Sequence, residues 1–394
     1  MLDVTQSTTA EIVARCEAIF TDLDFGAARA WKADKPGGKV IGFMPFYVPR
    51  EIVHAGGALP LGIMGGGDQL EVIHGDAYYQ SYICRIPRST IELGVSGRLD
   101  FVDGMLFPSI CDVIRNLSGM WKLMFPDVPA RYVDLPQNFD DEIGGAFWAS
   151  DMAEMRHWVE EIVGRKISDD DLRASIALYN ENRRLIRSLY ALRSAEPWKV
   201  ASWEVYLVER AGLVLPVEEH NTLVAAYIAA AQKQQRPLKD NSRVVVSGAF
   251  CEQPPLNLVK SIELAGCWIV DDDFMLVNRW EKSDVSTEGD PLAALARAFL
   301  HDSLSTSAKY EPDASKKGAG LIESVRKNHA EGVIFAMPSF CDPALLERPM
   351  LQNALKAAGI PYIAFKYAEN SGQMQPIREQ AGTFADSIKL WSGE

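Results

Sequence analysis

The sequence predicts an α/β protein with two parallel-sheet domains, and two observations carry this prediction. Short apolar runs rich in β-branched residues alternate with longer amphipathic stretches, which is typical of βαβ units. Between about residues 147 and 238 the alternation stops, and charged residues recur at helical spacing instead. We therefore divide the chain into an N-terminal helical segment (1–35), a first α/β domain (36–146), a helical connector (147–238) and a second α/β domain (239–394).

Each domain is predicted to contain four strands. In the first domain the strands lie near residues 39–44, 58–64, 101–107 and 131–135, and the helices near 49–56, 81–96 and 112–123. In the second domain the strands lie near residues 243–247, 267–270, 332–337 and 362–365. Residues 287–317 are rich in Asp, Ser and Lys, and we expect them to form an inserted loop and helix.

The two domains repeat a short motif. Residues 107–112, Phe-Pro-Ser-Ile-Cys-Asp, align with residues 337–342, Met-Pro-Ser-Phe-Cys-Asp, and each copy follows a strand and begins a helix. Two further pairs of segments are alike, namely residues 128–132 with 359–362 and residues 55–59 with 265–268. A duplicated flavodoxin-like unit explains all three similarities.

The repeated motif places one cysteine at the start of a helix in each domain. A capping box that begins at Ser109 or Ser339 accounts for the serine and the aspartate of each copy. It does not account for Cys111 and Cys341 in the first helical turn, where backbone N–H groups and the helix dipole favour a thiolate. Because parallel sheets bind ligands at the carboxyl ends of their strands, we predict ligand or redox roles for both cysteines.

Cys84 is predicted to join them. It lies just inside the helix that precedes the third strand, in the stretch Tyr-Tyr-Gln-Ser-Tyr-Ile-Cys-Arg (78–85). Three thiolates from separate helix starts, without a nearby histidine, suit an iron–sulfur cluster better than a zinc site. Three protein ligands also leave one iron open to substrate. Cys251, at another strand end, could be a fourth ligand or a buried turn residue, whereas Cys16 and Cys267 are expected in the core.

Composition and charge argue against several classes of protein. The net charge is −13 and no basic run is present, which disfavours binding to nucleic acid. The longest apolar stretches, such as residues 223–231, fall far short of the roughly 20 residues that a membrane span needs. The N-terminus carries acidic residues early and lacks the apolar region of a signal peptide. We therefore expect a cytoplasmic protein, in which structural disulfides are disfavoured because the compartment is reducing.

Several stretches together resemble one family. They are residues 49–60 (Pro-Arg-Glu-Ile-Val-His-Ala-Gly-Gly-Ala-Leu-Pro), the Cys84-x-Arg site, the Cys111-Asp turn and residues 340–343 (Phe-Cys-Asp-Pro). Over nearly the whole chain the sequence resembles the 2-hydroxyacyl-CoA dehydratase and benzoyl-CoA reductase family. Residues 105–116 (Met-Leu-Phe-Pro-Ser-Ile-Cys-Asp-Val-Ile-Arg-Asn) are most similar to the smaller, C-type core subunits of ATP-dependent benzoyl-CoA reductases, which favours reductase over dehydratase.

The resemblance implies a heterodimeric core of two related subunits, each with two α/β domains and a [4Fe–4S] cluster between them. It maps the ligands of this cluster onto Cys84, Cys111 and Cys341. It also implies separate activator subunits that hydrolyse ATP and supply single electrons. The implied reaction reduces an aromatic acyl-CoA thioester, benzoyl-CoA, to a cyclic diene thioester, and it begins with electron transfer to the thioester carbonyl. Two alternatives stay open, a 2-hydroxyacyl-CoA dehydratase and an electron-relay subunit whose cluster never meets substrate.

The sequence agrees with ATP being handled elsewhere. It contains no Gly-x-x-x-x-Gly-Lys-Ser/Thr loop, and the glycines at residues 65–67 lack the lysine and hydroxyl of a phosphate site.

The candidate proton donor is His54. His54 could donate a proton to the substrate or hydrogen-bond the thioester oxygen, and it could equally be a core histidine.

Two groups of side chains next to Cys84 each have more than one candidate role. Tyr78, Tyr79 and Tyr82 could line an aromatic pocket or simply pack against a helix. Arg85 and Arg88 could neutralise the cluster, contact the phosphates of CoA or lie on a solvated face.

Overall fold

The protein is described by a computed structural model over residues 7–44, 46–248, 254–273, 275, 278–306, 313, 316–368 and 374–391. Within the described part of the chain, no helix is both long and apolar enough to cross a membrane.

The N-terminal half contains a four-stranded parallel sheet. Two helices precede it, α1 (Thr9–Thr21) and α2 (Gly26–Asp34). The strands are β1 (Val40–Phe43), β2 (Leu59–Gly62), β3 (Gly104–Pro108) and β4 (Ala130–Val133). The helices between them are α3 (Arg50–Ala55), α4 (Arg85–Val95) and α5 (Asp112–Met124). The strand order is β2-β1-β3-β4, so the chain reverses its direction of travel across the sheet between β2 and β3.

Four helices connect the two sheets. They are α6 (Ala146–Val163), α7 (Asp169–Ala195), α8 (Ser202–Ala211) and α9 (Val217–Lys233). The longest, α7, begins at a capping box in which Ser168 and Asp171 bind each other's backbone N–H groups. Near its middle, the buried Arg183 pairs with Glu51 of α3 and with Glu281 of the C-terminal half. This buried ion group joins the connecting helices to both halves of the chain.

The C-terminal half repeats the architecture of the first. Its strands are β5 (Ser242–Gly248), β6 (Cys267–Asp272), β7 (Gly332–Pro338) and β8 (Tyr362–Tyr367). Its helices are α10 (Leu256–Leu264), α11 (Pro291–Asp302), α12 (Ala319–Lys327), α13 (Asp342–Ala357) and α14 (Met374–Trp391). The strand order is β6-β5-β7-β8, and all pairs are parallel, as in the first sheet. The equal order of strands confirms the predicted fold class of two parallel-sheet domains.

The second sheet packs against two cores through its opposite faces. Because neighbouring residues of a strand point to opposite sides, Val245 and Phe335 face a large core shared with the first sheet. Val244 and Ile334 face a separate core built with α10 and α14. The shared core also takes in α11, the helix predicted within residues 287–317. Burial of this common face therefore holds the two sheets together.

Candidate metal centre

Each of the three predicted ligand cysteines immediately precedes a helix. Cys84 precedes α4, Cys111 precedes α5 and Cys341 precedes α13. Cys84 was predicted just inside its helix, but the helix begins one residue later, at Arg85. The first backbone N–H groups of a helix lack intrahelical partners and form the positive end of its dipole. The backbone at all three helix starts therefore acts in favour of a thiolate.

Cys111 and Cys341 are close enough to influence each other. Burial raises the pKa of the Cys111 thiol, and the neighbouring Cys341 raises it further. The backbone N–H groups of Ile114 and Val113, at the start of α5, act in the opposite direction by stabilising a thiolate. The two copies of the repeated motif thus bring their cysteines together, although they are 230 positions apart in the sequence.

Tyr79 lies beside both Cys84 and Cys111. Burial raises the pKa of the Tyr79 hydroxyl, and the adjacent Cys84 and Cys111 raise it further. The three cysteines therefore share one neighbourhood. Across the described residues, however, no three His, Cys, Asp or Glu side chains form a group that could hold a metal ion. The structure brings the predicted ligands into one region without arranging them as a site for a single ion.

The remaining cysteines differ from these three. Cys16 in α1 and Cys267 in β6 are completely buried, and burial raises the pKa of each thiol to about 12. Both therefore stay protonated at neutral pH and pack as small apolar residues, as predicted. Cys251, considered as a fourth ligand, lies outside the described residues.

The capping boxes predicted at the repeated motif were wrong. Each helix begins at the aspartate, so the cysteine occupies the cap position, and the serine lies at the end of the preceding strand. There Ser109 Oγ accepts a hydrogen bond from the backbone N–H of Leu135 at 2.7 Å, and Ser339 Oγ donates one to the carbonyl of Tyr367 at 2.9 Å. The serines thus attach each cysteine turn to the end of the adjacent strand, β4 or β8.

One carboxylate holds the segment that precedes Cys84. Glu92 of α4 accepts hydrogen bonds from the backbone N–H groups of Ile73, His74 and Gly75 and lies within hydrogen-bond distance of the His74 ring, at 2.6–2.9 Å. Burial alone would raise the pKa of Glu92, but these hydrogen bonds outweigh it, and the pKa lies below its usual value. No sequence pattern indicates this role, because a glutamate on a helix normally faces solvent.

Arg85 and Arg88 contribute to the same anchorage. Arg85 donates to the carbonyls of Gly67, at 3.2 Å, and Leu70, and Arg88 pairs with Asp76 at 2.8 Å. Residues 85, 88 and 92 lie on one face of α4, because they are three and four positions apart. These contacts give both arginines a part in fixing the 67–84 segment, and a contact of either arginine with a cluster or CoA stays a prediction.

Large apolar side chains are exposed close to the cysteines in sequence. Leu346 and Met350 lie one turn apart on α13, the helix that Cys341 precedes. Among the described residues within ten positions of Cys84, Cys111 or Cys341, the exposed large apolar ones are Tyr78, Tyr82, Phe340, Leu346 and Met350. Neighbouring exposed apolar side chains, such as Leu346 and Met350 on one face of α13, are typical of surfaces that bind another protein or a ligand.

His54 lies away from the cysteines. It is at the C-terminal end of α3, shortly before β2 begins, and therefore at the edge of the sheet where the strands start. Cys111 and Cys341 lie at the other edge, just after the residues where β3 and β7 end. The Nδ1 atom of His54 is 2.9 Å from Ser175 Oγ, and its Nε2 atom is 3.2 Å from the carboxylate of Glu218. The structure thus does not bring His54 together with the cysteines, and both roles considered for it, proton donor and structural histidine, stay predictions.

A cavity of about 310 Å³ lies elsewhere, between α7, the second sheet and α12. Charged side chains line it, and several are already paired. Arg279 pairs with Asp271 at 2.9 Å, and Asp272 pairs with the fully buried Arg193 at 2.7 Å. None of the three predicted ligand cysteines is among the described residues that line this cavity. The cavity is therefore separate from the candidate site at the cysteines.

Comparison with known proteins agrees with the architecture. A family model described as 2-hydroxyglutaryl-CoA dehydratase, D-component, matches residues 45–388. The chain is 67% identical over 385 residues to the C subunit of benzoyl-CoA reductase from Thauera aromatica, covering 98% of this chain and 100% of that protein. It is 28% identical to the beta subunit of lactoyl-CoA dehydratase from Anaerotignum propionicum, over 95% and 100% of the two chains. It is 29% identical to the beta subunit of (R)-2-hydroxyglutaryl-CoA dehydratase from Acidaminococcus fermentans, over 89% and 93%.

The fold and the site define a class of α/β subunits with two equivalent parallel sheets and a cysteine at the end of the third strand of each. The chain belongs to the 2-hydroxyglutaryl-CoA dehydratase, D-component, family. Within this family it is a close homologue of the C subunit of benzoyl-CoA reductase, an oxidoreductase. The family resemblance stated from the sequence is thereby confirmed.

Proposed function

We propose that this chain is an iron–sulfur core subunit of an ATP-dependent benzoyl-CoA reductase. The complete enzyme transfers low-potential electrons to an aromatic acyl-CoA thioester and produces a cyclic diene thioester. The observation that carries the proposal is the 67% identity to the C subunit of a benzoyl-CoA reductase over the full length of that protein. Identity to the dehydratase subunits is less than half as high, at 28% and 29%.

The proposed cofactor is a [4Fe–4S] cluster bound by Cys84, Cys111 and Cys341. The donor set fits, because three thiols at helix starts are soft ligands of the type that iron–sulfur clusters use. Each cysteine of such a cluster binds a different iron, so the ligands need not surround one point as they do for a single ion. The buried hydroxyl of Tyr79, beside Cys84 and Cys111, has no hydrogen-bond partner among the described residues, which also fits a group that is bound there. When bound, the cluster supplies single electrons and an iron with an open coordination position.

The proposed partners are a related second core subunit and activator subunits that hydrolyse ATP. The named relatives are themselves designated subunits, which supports a heteromeric assembly. The exposed apolar side chains near Cys84 and Cys341 offer a surface for such a partner. A permanent interface of this kind usually buries upwards of about 2,000 Å².

We place the complex in the cytoplasm. The cysteines of the described residues are free thiols, and a reducing compartment keeps thiols in this state.

An anaerobic assay tests the proposal. The chain is purified alone and together with the second core subunit, and each preparation is given benzoyl-CoA and a strong reductant, with and without activator and ATP. We expect the cyclic diene thioester only in the complete mixture with ATP. Turnover by the lone chain, or turnover without ATP, would contradict the proposal.

A second candidate is a 2-hydroxyacyl-CoA dehydratase, which the family model and the two dehydratase relatives favour. The same assay with a 2-hydroxyacyl-CoA distinguishes it. An enoyl thioester formed without net consumption of reductant, with no product from benzoyl-CoA, would establish the dehydratase instead.

A further inference from the structure

Tyr79 differs from the other two tyrosines of its segment. Tyr78 and Tyr82 are 48% and 63% exposed, whereas the ring of Tyr79 packs against the large core. Its hydroxyl oxygen is buried and has no hydrogen-bond partner in the part of the chain that the structure describes. Because buried hydroxyl groups nearly always have a partner, this one is expected to bind a group that is absent from the polypeptide.

The segment that carries Tyr79 is held firmly in place. Glu92 accepts hydrogen bonds from three consecutive backbone N–H groups only a few residues before Tyr79. Gly75 is packed so tightly on α4 that an added Cβ atom would lie 2.0 Å from the carbonyl oxygen of Arg88. The hydroxyl of Tyr79 is therefore presented in a fixed position next to the start of α4, where Cys84 lies.

We propose that the Tyr79 hydroxyl donates a hydrogen bond to a sulfur atom of the cluster held by Cys84, Cys111 and Cys341, and thereby raises its reduction potential. The inference rests on the proposed function, because it requires the cluster. A hydrogen bond to sulfur stabilises the reduced cluster more than the oxidised one, because reduction adds negative charge to the sulfur atoms. Tyr79 would in this way set the driving force of electron transfer without taking part in a proton transfer.

Removing the hydroxyl should lower the reduction potential. The net contribution of one hydrogen bond predicts that Tyr79→Phe shifts the reduction equilibrium by roughly three- to tenfold toward the oxidised cluster. Tenfold corresponds to about 59 mV for a one-electron couple. Tyr82→Phe is the matched control, since it removes an exposed hydroxyl from the same segment and should leave the potential unchanged.

The test is a redox titration of the anaerobically purified complex, followed by low-temperature EPR, after iron content has been measured. A wild-type complex without iron would contradict the proposed function itself, independently of Tyr79. If Tyr79→Phe retains its iron and its potential equals that of wild type, the role of Tyr79 is overturned.

A second variant covers the case in which Tyr79→Phe fails to assemble the cluster. Incorporating 3-fluorotyrosine at position 79 keeps the ring and makes the hydroxyl a stronger donor, so the potential should rise. An unchanged potential in the fluorinated protein would contradict the inference.

Discussion

Cys111 and Cys341 are equivalent residues of the two domains, because each immediately precedes the helix that follows the third strand of its sheet. Their equivalence extends to Ser109 and Ser339, which attach the two turns to the neighbouring strands. The duplication therefore gives the protein two copies of one turn, and the shared core brings the two copies together. Cys84 has no counterpart among the described residues of the second domain, and the segment before it is held by contacts with α4.

The first prediction concerns this segment. Glu92→Gln weakens a carboxylate that binds three backbone N–H groups, and hydrogen bonds to a charged group contribute about 1.5–3 kcal/mol each. We expect amide hydrogen exchange of the peptide that contains residues 73–75 to accelerate at least tenfold, as measured by mass spectrometry. Glu71→Gln, at an exposed position of the same segment, is the control and should not change the exchange. Equal protection in both variants would show that Glu92 is not the anchor.

The second prediction compares neighbouring arginines of α7. Arg183 is buried between Glu51 and Glu281, and removing it leaves two buried carboxylates without their cation. Arg183→Met should lower the free energy of unfolding by about 3–5 kcal/mol in chemical denaturation. Arg184 is half exposed and pairs with Asp284, so Arg184→Met should change stability by less than about 1 kcal/mol. Similar losses in the two variants would contradict the stabilising role of the buried ion group.

The third prediction separates two roles of His54. The ring nitrogens of His54 lie at hydrogen-bond distance from Ser175 and Glu218, at the opposite edge of the sheet from Cys111. Because these contacts are structural, His54→Gln should lower the free energy of unfolding by about 1 kcal/mol. Turnover and the EPR spectrum of the complex should stay unchanged. His157→Gln, at an exposed position, serves as the control. A loss of turnover on the order of 10²-fold with an intact cluster would instead establish His54 as a general acid.

The fourth prediction concerns pH. Burial lowers the pKa of His220 to about 4 from 6.5, and the neutral ring donates from Nε2 to the carbonyl of Val208 and accepts from Asn182 at Nδ1. Between these two values only the unfolded chain takes up the proton, so the stability contributed by neutral His220 is lost as the pH falls from 6.5 toward 4. The expected loss is about 3 kcal/mol. His220→Gln should remove this part of the pH dependence in denaturation measured from pH 7 to 4.5, and an unaltered slope would contradict the assignment.

The sequence was sufficient to predict all eight strands and the repeated cysteine turn, because these depend on local apolar runs and on a motif that occurs twice. It was not sufficient to predict which atoms meet across the fold. Tyr79 and Tyr82 are indistinguishable by type and spacing, yet Tyr79 packs against the core and Tyr82 is exposed. The contact of Glu92 with residues 73–75 depends on how a loop folds back over a helix, and no local pattern records it. Ser109 matched a capping box, but the helix begins later, and Leu135, just beyond the end of β4, supplies its hydrogen-bond partner.

The proposed chemistry depends most on Cys84, Cys111 and Cys341 as the ligands of the cluster. Single alanine variants of these residues test the assignment, with iron content and the low-temperature EPR spectrum of the reduced complex as the measurement. Cys267→Ala is the control, because this thiol is buried in β6 and packs as an apolar residue. We expect each of the three variants to lose its iron or its EPR signal while the control keeps both. Full retention of the cluster in any one of the three would contradict the ligand assignment.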